Sequence, residues 1–363
     1  MYSERTHTTG LEGVSHILDL AYNTDMVNKP LGVILVGEPG IGKTMVIQNY
    51  KYENSVIVND VTGPGFWDLM AQRLHKHKRG FIIVPDMGKV LARKKSQENF
   101  MWLVNIASEE GMQRTIMHKV DVDFGEKVFY GLIGAMTTET YSQHREIFES
   151  SGFISRHLIV NYGYSEKTIT TIQNNIMKGY KPQEYTVKCG ARKEISTPLD
   201  TLQLFPDDLS LSNMQFYIQK HNLVNPKNTI TKAEIEKALS FKKSVTQLAY
   251  HLKKSRDDKF GFRATKHIIA LLKSQAYIEG VDRVDFVHLG KIACILPFLM
   301  GRKYDLVATQ LDEKPSYTMD EDYFTMHKFL NKEKLQDQYV KRLMNIGLLR
   351  DTAQGLQISG GGL

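Results

Sequence analysis

Cysteine is nearly absent: Cys189 and Cys294 are the only two among 363 residues. Two thiols support neither a disulfide framework nor a four-thiolate metal centre, so a reducing, cytoplasmic setting is expected. No apolar run approaches the roughly 18 residues of a transmembrane helix, so no membrane partner is expected. The opening Met1-Tyr2-Ser3-Glu4-Arg5 lacks the apolar core of a signal peptide. There is no internal repeat and no low-complexity tract, which sets solenoids and arrays aside. Neither a Ser-His-Asp arrangement nor a metal-ligand spacing stands out, so triad hydrolysis and a structural metal find no support.

What is present is ordinary folding material. Hydrophobic residues make up 42% and charged residues 24%, as in folded globular proteins. The length predicts two or three domains. Lys and Arg total 47 against 40 Asp and Glu, a formal charge of +7, which permits a nucleic-acid partner without requiring one.

The most specific stretch is Gly37-Glu38-Pro39-Gly40-Ile41-Gly42-Lys43-Thr44, which fits G-x-x-x-x-G-K-[ST] at every fixed position. Leu31 to Val36 before it reads as a buried strand, and Met45 to Tyr50 after it as the start of a helix. The glycines let backbone N–H groups curl round phosphate oxygens. Lys43 brings a point charge to the β/γ-phosphates and Thr44 a hydroxyl to Mg²⁺. ATP and Mg²⁺ are therefore the expected ligands.

Along the rest of the chain, a helix is expected over 10–30 and strands at 55–59, 81–84, 128–136 and 158–160. Helices are expected at 66–77 and 97–110, and an alternating hairpin at 115–124. Strands alternating with helices round a phosphate loop predict an α/β fold, a doubly wound parallel sheet, over residues 1–164. Residues 165–206, polar and punctuated by Gly and Pro, read as an irregular connector. A lysine-rich helical domain is expected over 207–305 and a small C-terminal domain over 306–363. The final Ser359-Gly360-Gly361-Gly362-Leu363 reads as a flexible end.

Asp86 closes an apolar strand, where a carboxylate would hold Mg²⁺ opposite Thr44. The following residue is Met87, where a water-polarising Glu would be useful. Glu139, after the fourth strand, is the candidate substitute base, while Glu109 and Glu110 read as solvated helix-end charges. Thr138 or Thr137, at the end of that strand, suits orientation of a water, and equally suits helix capping. Arg156 in Gly152-Phe153-Ile154-Ser155-Arg156 suits reaching a neighbouring subunit's γ-phosphate, with Arg145 a weaker candidate. Arg263 opens an amphipathic helix over 265–279 and suits folding back onto bound nucleotide, or serves only as a helix-terminal charge. His75-Lys76-His77-Lys78-Arg79 reads as a solvated helix end before a buried strand. Lys242, Lys243, Lys253, Lys254 and Arg256 form a basic set on the helical domain, suited to a phosphate backbone or to plain solvation.

In their order, the loop at 37–44, the Asp86 strand, Thr137-Thr138, Arg156 and Arg263 resemble an AAA+ ATPase over about residues 10–305. Glu109-Glu110-Gly111, the 115–124 hairpin, Gly134 to Thr138, and the stretch from Arg263 through Glu279-Gly280 to Leu289 resemble the MoxR and minichromosome-maintenance helicase branch. Pro85-Asp86 and the Gly-Phe-x-Ser-Arg segment also resemble phage and mobile-element AAA+ proteins. The resemblance implies an ATP-hydrolysing P-loop core, a helical lid and a ring-shaped homo-oligomer, a hexamer, with Lys43, Asp86, Thr138, Arg156 and Arg263 in the catalytic roles; Glu139, read from its position alone, joins them as the substitute base. Met87 departs from the pattern, so either another carboxylate serves as base, or hydrolysis is slow, or the chain binds nucleotide as a switch.

The C-terminal segment suits a winged helix, with a recognition-type helix over 336–346 carrying Lys341 and Arg342, and a wing at 348–358 carrying Arg350. A packing or oligomerisation element suits it as well. Three functions follow. The first is a DNA-acting motor, helicase or helicase loader in replication of a phage or mobile element, with Lys119 of the hairpin on DNA and a helicase as a protein partner. The second is a MoxR-type protein-remodelling ATPase, and the third a nucleotide-dependent scaffold with little hydrolysis.

Overall fold

In the computed structural model the described residues are 11–60, 65–66, 69, 77–92, 94–117, 120–164, 166–179, 184–187, 191–203, 231–255, 261–300, 349–350 and 357–358. The chain begins with helix α1 (Glu12–Val27) and strand β1 (Gly32–Gly37), then α2 (Lys43–Asn49), β2 (Tyr50–Lys51), β3 (Ser55–Ile57) and β4 (Arg79–Val84). Next come α3 (Met87–Leu91), α4 (Lys94–Asn105) with a π turn over Ile106–Glu110, β5 (Met112–Met117) and the long β6 (Val120–Thr137). Short helices α5 (Thr138–Gln143), α6 (Arg145–Ser150) and α7 (Phe153–Arg156) lead into β7 (His157–Asn161). After these stand α8 (Glu166–Met177), β8 (Tyr185–Thr186), α9 (Pro198–Leu202), α10 (Lys232–Ser255), α11 (Phe262–Ile278) and α12 (Phe286–Met300).

The central sheet runs β3-β4-β6-β1-β7, all parallel, with β5 paired antiparallel to β6. Side chains alternate along its strands. Val33, Leu35, Ile133, Ala135, Leu158 and Val160 share one core with α1 and the helices after residue 231. Ile34, Val36, Ile82, Val84, Leu132 and Ile159 point the other way, into a core with α3 and α4. Apolar burial on both faces explains why these strands read as continuous apolar runs. The α/β fold with a parallel, two-sided sheet is thus present. Entry into β1 is fixed by Thr24, whose hydroxyl donates to Ala21 O (2.6 Å) and accepts from Leu31 N (2.9 Å).

The helical segment does not hang free of the sheet. α11 packs along α1, and buried Ser274 donates to Leu20 O at 2.6 Å. The expected irregular connector is corrected in part: residues 166–177 form α8. Its Ile169, Ile172 and Ile176 carry the i, i+3, i+7 period, but threonines and asparagines, poor helix formers, hide it. The expected hairpin over 115–124 is present, with Thr115 opposite Val122 and Ile116 opposite Asp121, and its second arm runs on without a break into the core strand as β6. Most of the expected helix at 66–77, and nearly all of 306–363, lie outside the described residues. From the latter, β9 (Leu349–Arg350) and β10 (Gln357–Ile358) pair antiparallel. Among the described residues no helix is long and apolar enough to cross a membrane.

Candidate functional site

Parallel strands bring their carboxyl ends to one edge, and there the phosphate-loop motif lies. β1 ends at Gly37, and Gly40 and Gly42 take φ of 83° and 82°, a left-handed backbone that glycine adopts without strain. A Cβ on Gly40 would meet nothing within 4 Å, so its φ and not crowding is what favours glycine there. Lys43, only 8% exposed, donates from Nζ to Gly37 O (2.8 Å) and Glu38 O (2.6 Å). Burial pulls its pKa below the ordinary lysine value, with Glu38 and Asp86 partly offsetting. The loop is also held from outside. Tyr164 and Tyr162, just past β7, both donate to Ile41 O, at 2.7 and 3.3 Å. Nothing in the sequence marks these two tyrosines as loop anchors, since they lie about 120 residues from it.

The neighbouring strand ends complete this edge. Thr44 donates to Pro85 O at 3.2 Å, which sets its hydroxyl beside Asp86. Asp86 is exposed and caps α3 by accepting from Gly88 N at 3.0 Å, leaving its second carboxylate oxygen outside that bond. A hydroxyl and an exposed carboxylate together are a donor set that suits Mg²⁺. Met87, by contrast, is fully buried and fills the space over Gly134, where a Cβ would lie 2.5 Å from its Sδ. Thr137 lies in register with Gly37 and caps α5, accepting from Thr140 N at 3.1 Å. Thr138 is the first residue of that helix, half-buried, and Glu139 is exposed and accepts from Gln143 Nε2 at 3.2 Å.

The two arginines lie elsewhere. His157 pairs with Gly32, so Arg156 stands at the amino edge of the sheet, about 16 Å of strand away from the loop. Arg263 is there too, which corrects the expectation that it folds back onto nucleotide in its own chain. Both converge on Glu109, the last but one residue of the π turn. Arg263 Nε donates to both carboxylate oxygens (3.0 and 2.9 Å), its Nη2 stands 2.9 Å from Oε2, and its Nη1 donates to Ser155 Oγ at 3.1 Å. Arg156 Nε lies 2.8 Å from Glu109 Oε2, within ion-pair reach but outside hydrogen-bond geometry, and its Nη1 donates to Gly152 O at 3.0 Å. Lys29 Nζ donates to the Glu109 backbone O at 2.7 Å.

Glu109 is therefore no solvated helix-end charge. Burial works to raise its pKa, but the Arg263 hydrogen bonds and the Arg263, Arg156 and Lys266 charges outweigh it and hold the carboxyl below the ordinary carboxylate value. Arg145 instead pairs with Glu149 on the surface at 2.6 Å. In the 75–79 segment, Lys78 meets Glu126 at the surface and Arg79 donates to Asn28 O, and no group of three metal-ligating side chains occurs among the described residues. Lys119, Arg256, Lys341 and Arg342 lie outside the described residues, whereas Lys242 and Lys243 are exposed on α10. No family model matches the chain, and no curated protein matches it.

Proposed function

We propose that this chain is an AAA+-type ATPase that binds ATP with Mg²⁺ at Gly37–Thr44, assembles head to tail into a ring, and acts on DNA as a motor or loader. One observation carries the reading. The phosphate loop, Asp86 and Thr137 share the carboxyl edge of the sheet, while Arg156 and Arg263 share the amino edge. A pair of arginines so far from the loop has phosphate-directed work only in another copy, and head-to-tail contacts close into rings. In this reading Lys43 exchanges its two backbone carbonyls for phosphate oxygens, and the loop amides supply further donors. Thr44 and Asp86 would hold Mg²⁺, which supplies charge neutralisation at those oxygens. Thr138 orients water at the strand end beside the capping Thr137, Glu139 serves as the substitute base, and Arg156 and Arg263 stabilise charge from the next subunit. The helices after residue 231 act as the lid and the 306–363 segment as a winged helix.

A protein-remodelling role is the second reading, and the hairpin favours it. Residues 112–128 carry three basic side chains (Arg114, Lys119, Lys127) and three acidic ones (Asp121, Asp123, Glu126), so this element has no excess of positive charge for a DNA backbone. Burial of Met87 favours the scaffold reading, because no carboxylate follows Asp86.

ATP turnover with and without single-stranded and duplex DNA at low salt tests the proposal, alongside calorimetry of Lys43→Ala. Expected are a loss of ATP affinity of at least about 100-fold in the variant and DNA-stimulated turnover that falls steeply with salt. Unchanged affinity would overturn the nucleotide site. Turnover indifferent to both DNAs would replace the DNA motor by protein remodelling, and ATP binding without turnover by the scaffold.

A further inference from the structure

Between the amino edge of the sheet and α11 lies a cavity of about 380 Å³. Lys29, Arg156, Arg263, Lys266 and His267 line it, and Glu109 is the single carboxylate among the described residues that do. Four basic side chains thus surround one carboxylate. Two guanidinium groups carry ten N–H donors between them, more than one carboxylate can accept. Arg156 Nε shows the shortfall: it is buried at 2.8 Å from Glu109 yet has no hydrogen-bond partner among the described residues. Lys29 shows it too, its pKa pulled down first by burial and next by the crowding charge of Lys266. The carboxylate itself sits on a π turn closed by the Gly111 N–H to Ile106 O bond (2.9 Å), a local geometry that often marks functional positions.

We propose that Glu109 is a resident stand-in for a phosphate: it occupies the arginine pair in the isolated subunit and is displaced when a second copy of this chain, carrying a nucleoside triphosphate, docks its terminal phosphate into this cavity. The proposal rests on the reading of Arg156 and Arg263 as cross-subunit residues. A terminal phosphate offers more charge and more acceptor oxygens than a carboxylate, so it satisfies donors that Glu109 leaves over. The two edges are complementary in charge. Exposed Glu38, Asp86 and Glu139 lie around the phosphate loop, and exposed Lys29 and Lys266 lie around the cavity. The consequence is a brake. Arg156 and Arg263 stay neutralised at home until a loaded neighbour arrives, so assembly depends on nucleotide.

The test removes the stand-in charge and leaves its shape. In a Lys43→Ala background, which disables the loop, calorimetry with inorganic tripolyphosphate is expected to show at least about tenfold tighter binding after Glu109→Gln, a gain that Arg156→Ala reverses. With the loop intact, Glu109→Gln is expected to lower the protein concentration for half-assembly at least about tenfold in the presence of a slowly hydrolysed ATP analogue, by mass photometry. Its ATP affinity as a monomer should not change; absence of ATP binding there would sink the loop reading while leaving the tripolyphosphate comparison standing. Unchanged assembly overturns the proposal even if tripolyphosphate binds better, since the cavity would then take a free anion and not a neighbour's nucleotide. Improved assembly without improved tripolyphosphate affinity overturns it as well. Glu109→Asp, which withdraws the carboxylate by one methylene, provides a second variant. If both variants lose their cooperative melt, Glu109 is a structural tie and the proposal falls.

Discussion

Met87 shows how one side chain decides what a site can do. It follows Asp86 at the strand end, yet its side chain turns into the core and occupies the room that Gly134 leaves. Restoring a glutamate at this position would therefore bury a carboxylate without a partner. Met87→Glu is expected to cost about 3–5 kcal/mol of stability and to leave turnover no faster; a denaturant melt and an ATPase assay check it. A stable, faster variant would mean that residue 87 can turn towards the loop. The absence of the Glu was legible in the sequence, because it is a position within a motif. The core role of Met87 was not, because it depends on a glycine 47 residues on. The role of Glu109 leaves no local mark for the same reason: a glutamate near a helix end is usually solvated, and its partner Arg263 lies 154 residues away.

At the level of elements, Glu109 ties the π turn after α4 to α7 and α11. Its folded pKa lies below the ordinary value of 4.5. The stabilisation it provides is therefore present above that value and is lost as pH falls through the depressed folded value. The difference in melting temperature between the unaltered chain and Glu109→Gln is expected to hold at pH 7 and to shrink steadily below about pH 4.5. A difference that stays constant down to pH 3 would show that the carboxylate's charge contributes nothing. Elements with a strong period were legible: β1, β4 and β7 as apolar runs, the β5–β6 hairpin as an alternating one. α8 was not, since its threonines and asparagines blur the period, and the continuity of the hairpin with the core strand leaves no local mark.

For the whole molecule, the parallel sheet separates two chemistries. One edge carries the loop and its carboxylates, the other the arginines and lysines, and α11 is held to the sheet through α1. The sequence supplied the order of these parts but not their distribution between edges, which is set by strand direction and register. From that distribution comes the central claim, that catalysis is shared between subunits. The most direct measurement is ATP turnover in an equal mixture of Lys43→Ala chains, whose arginines are intact, and Arg156→Ala chains, whose loops are intact. Each alone is expected to be inactive. Mixed, an intact loop meets an intact arginine wherever an Arg156→Ala chain docks its loaded site on a Lys43→Ala chain, so turnover should rise well above the sum of the two alone. A mixture no more active than the sum of its two components would contradict the claim.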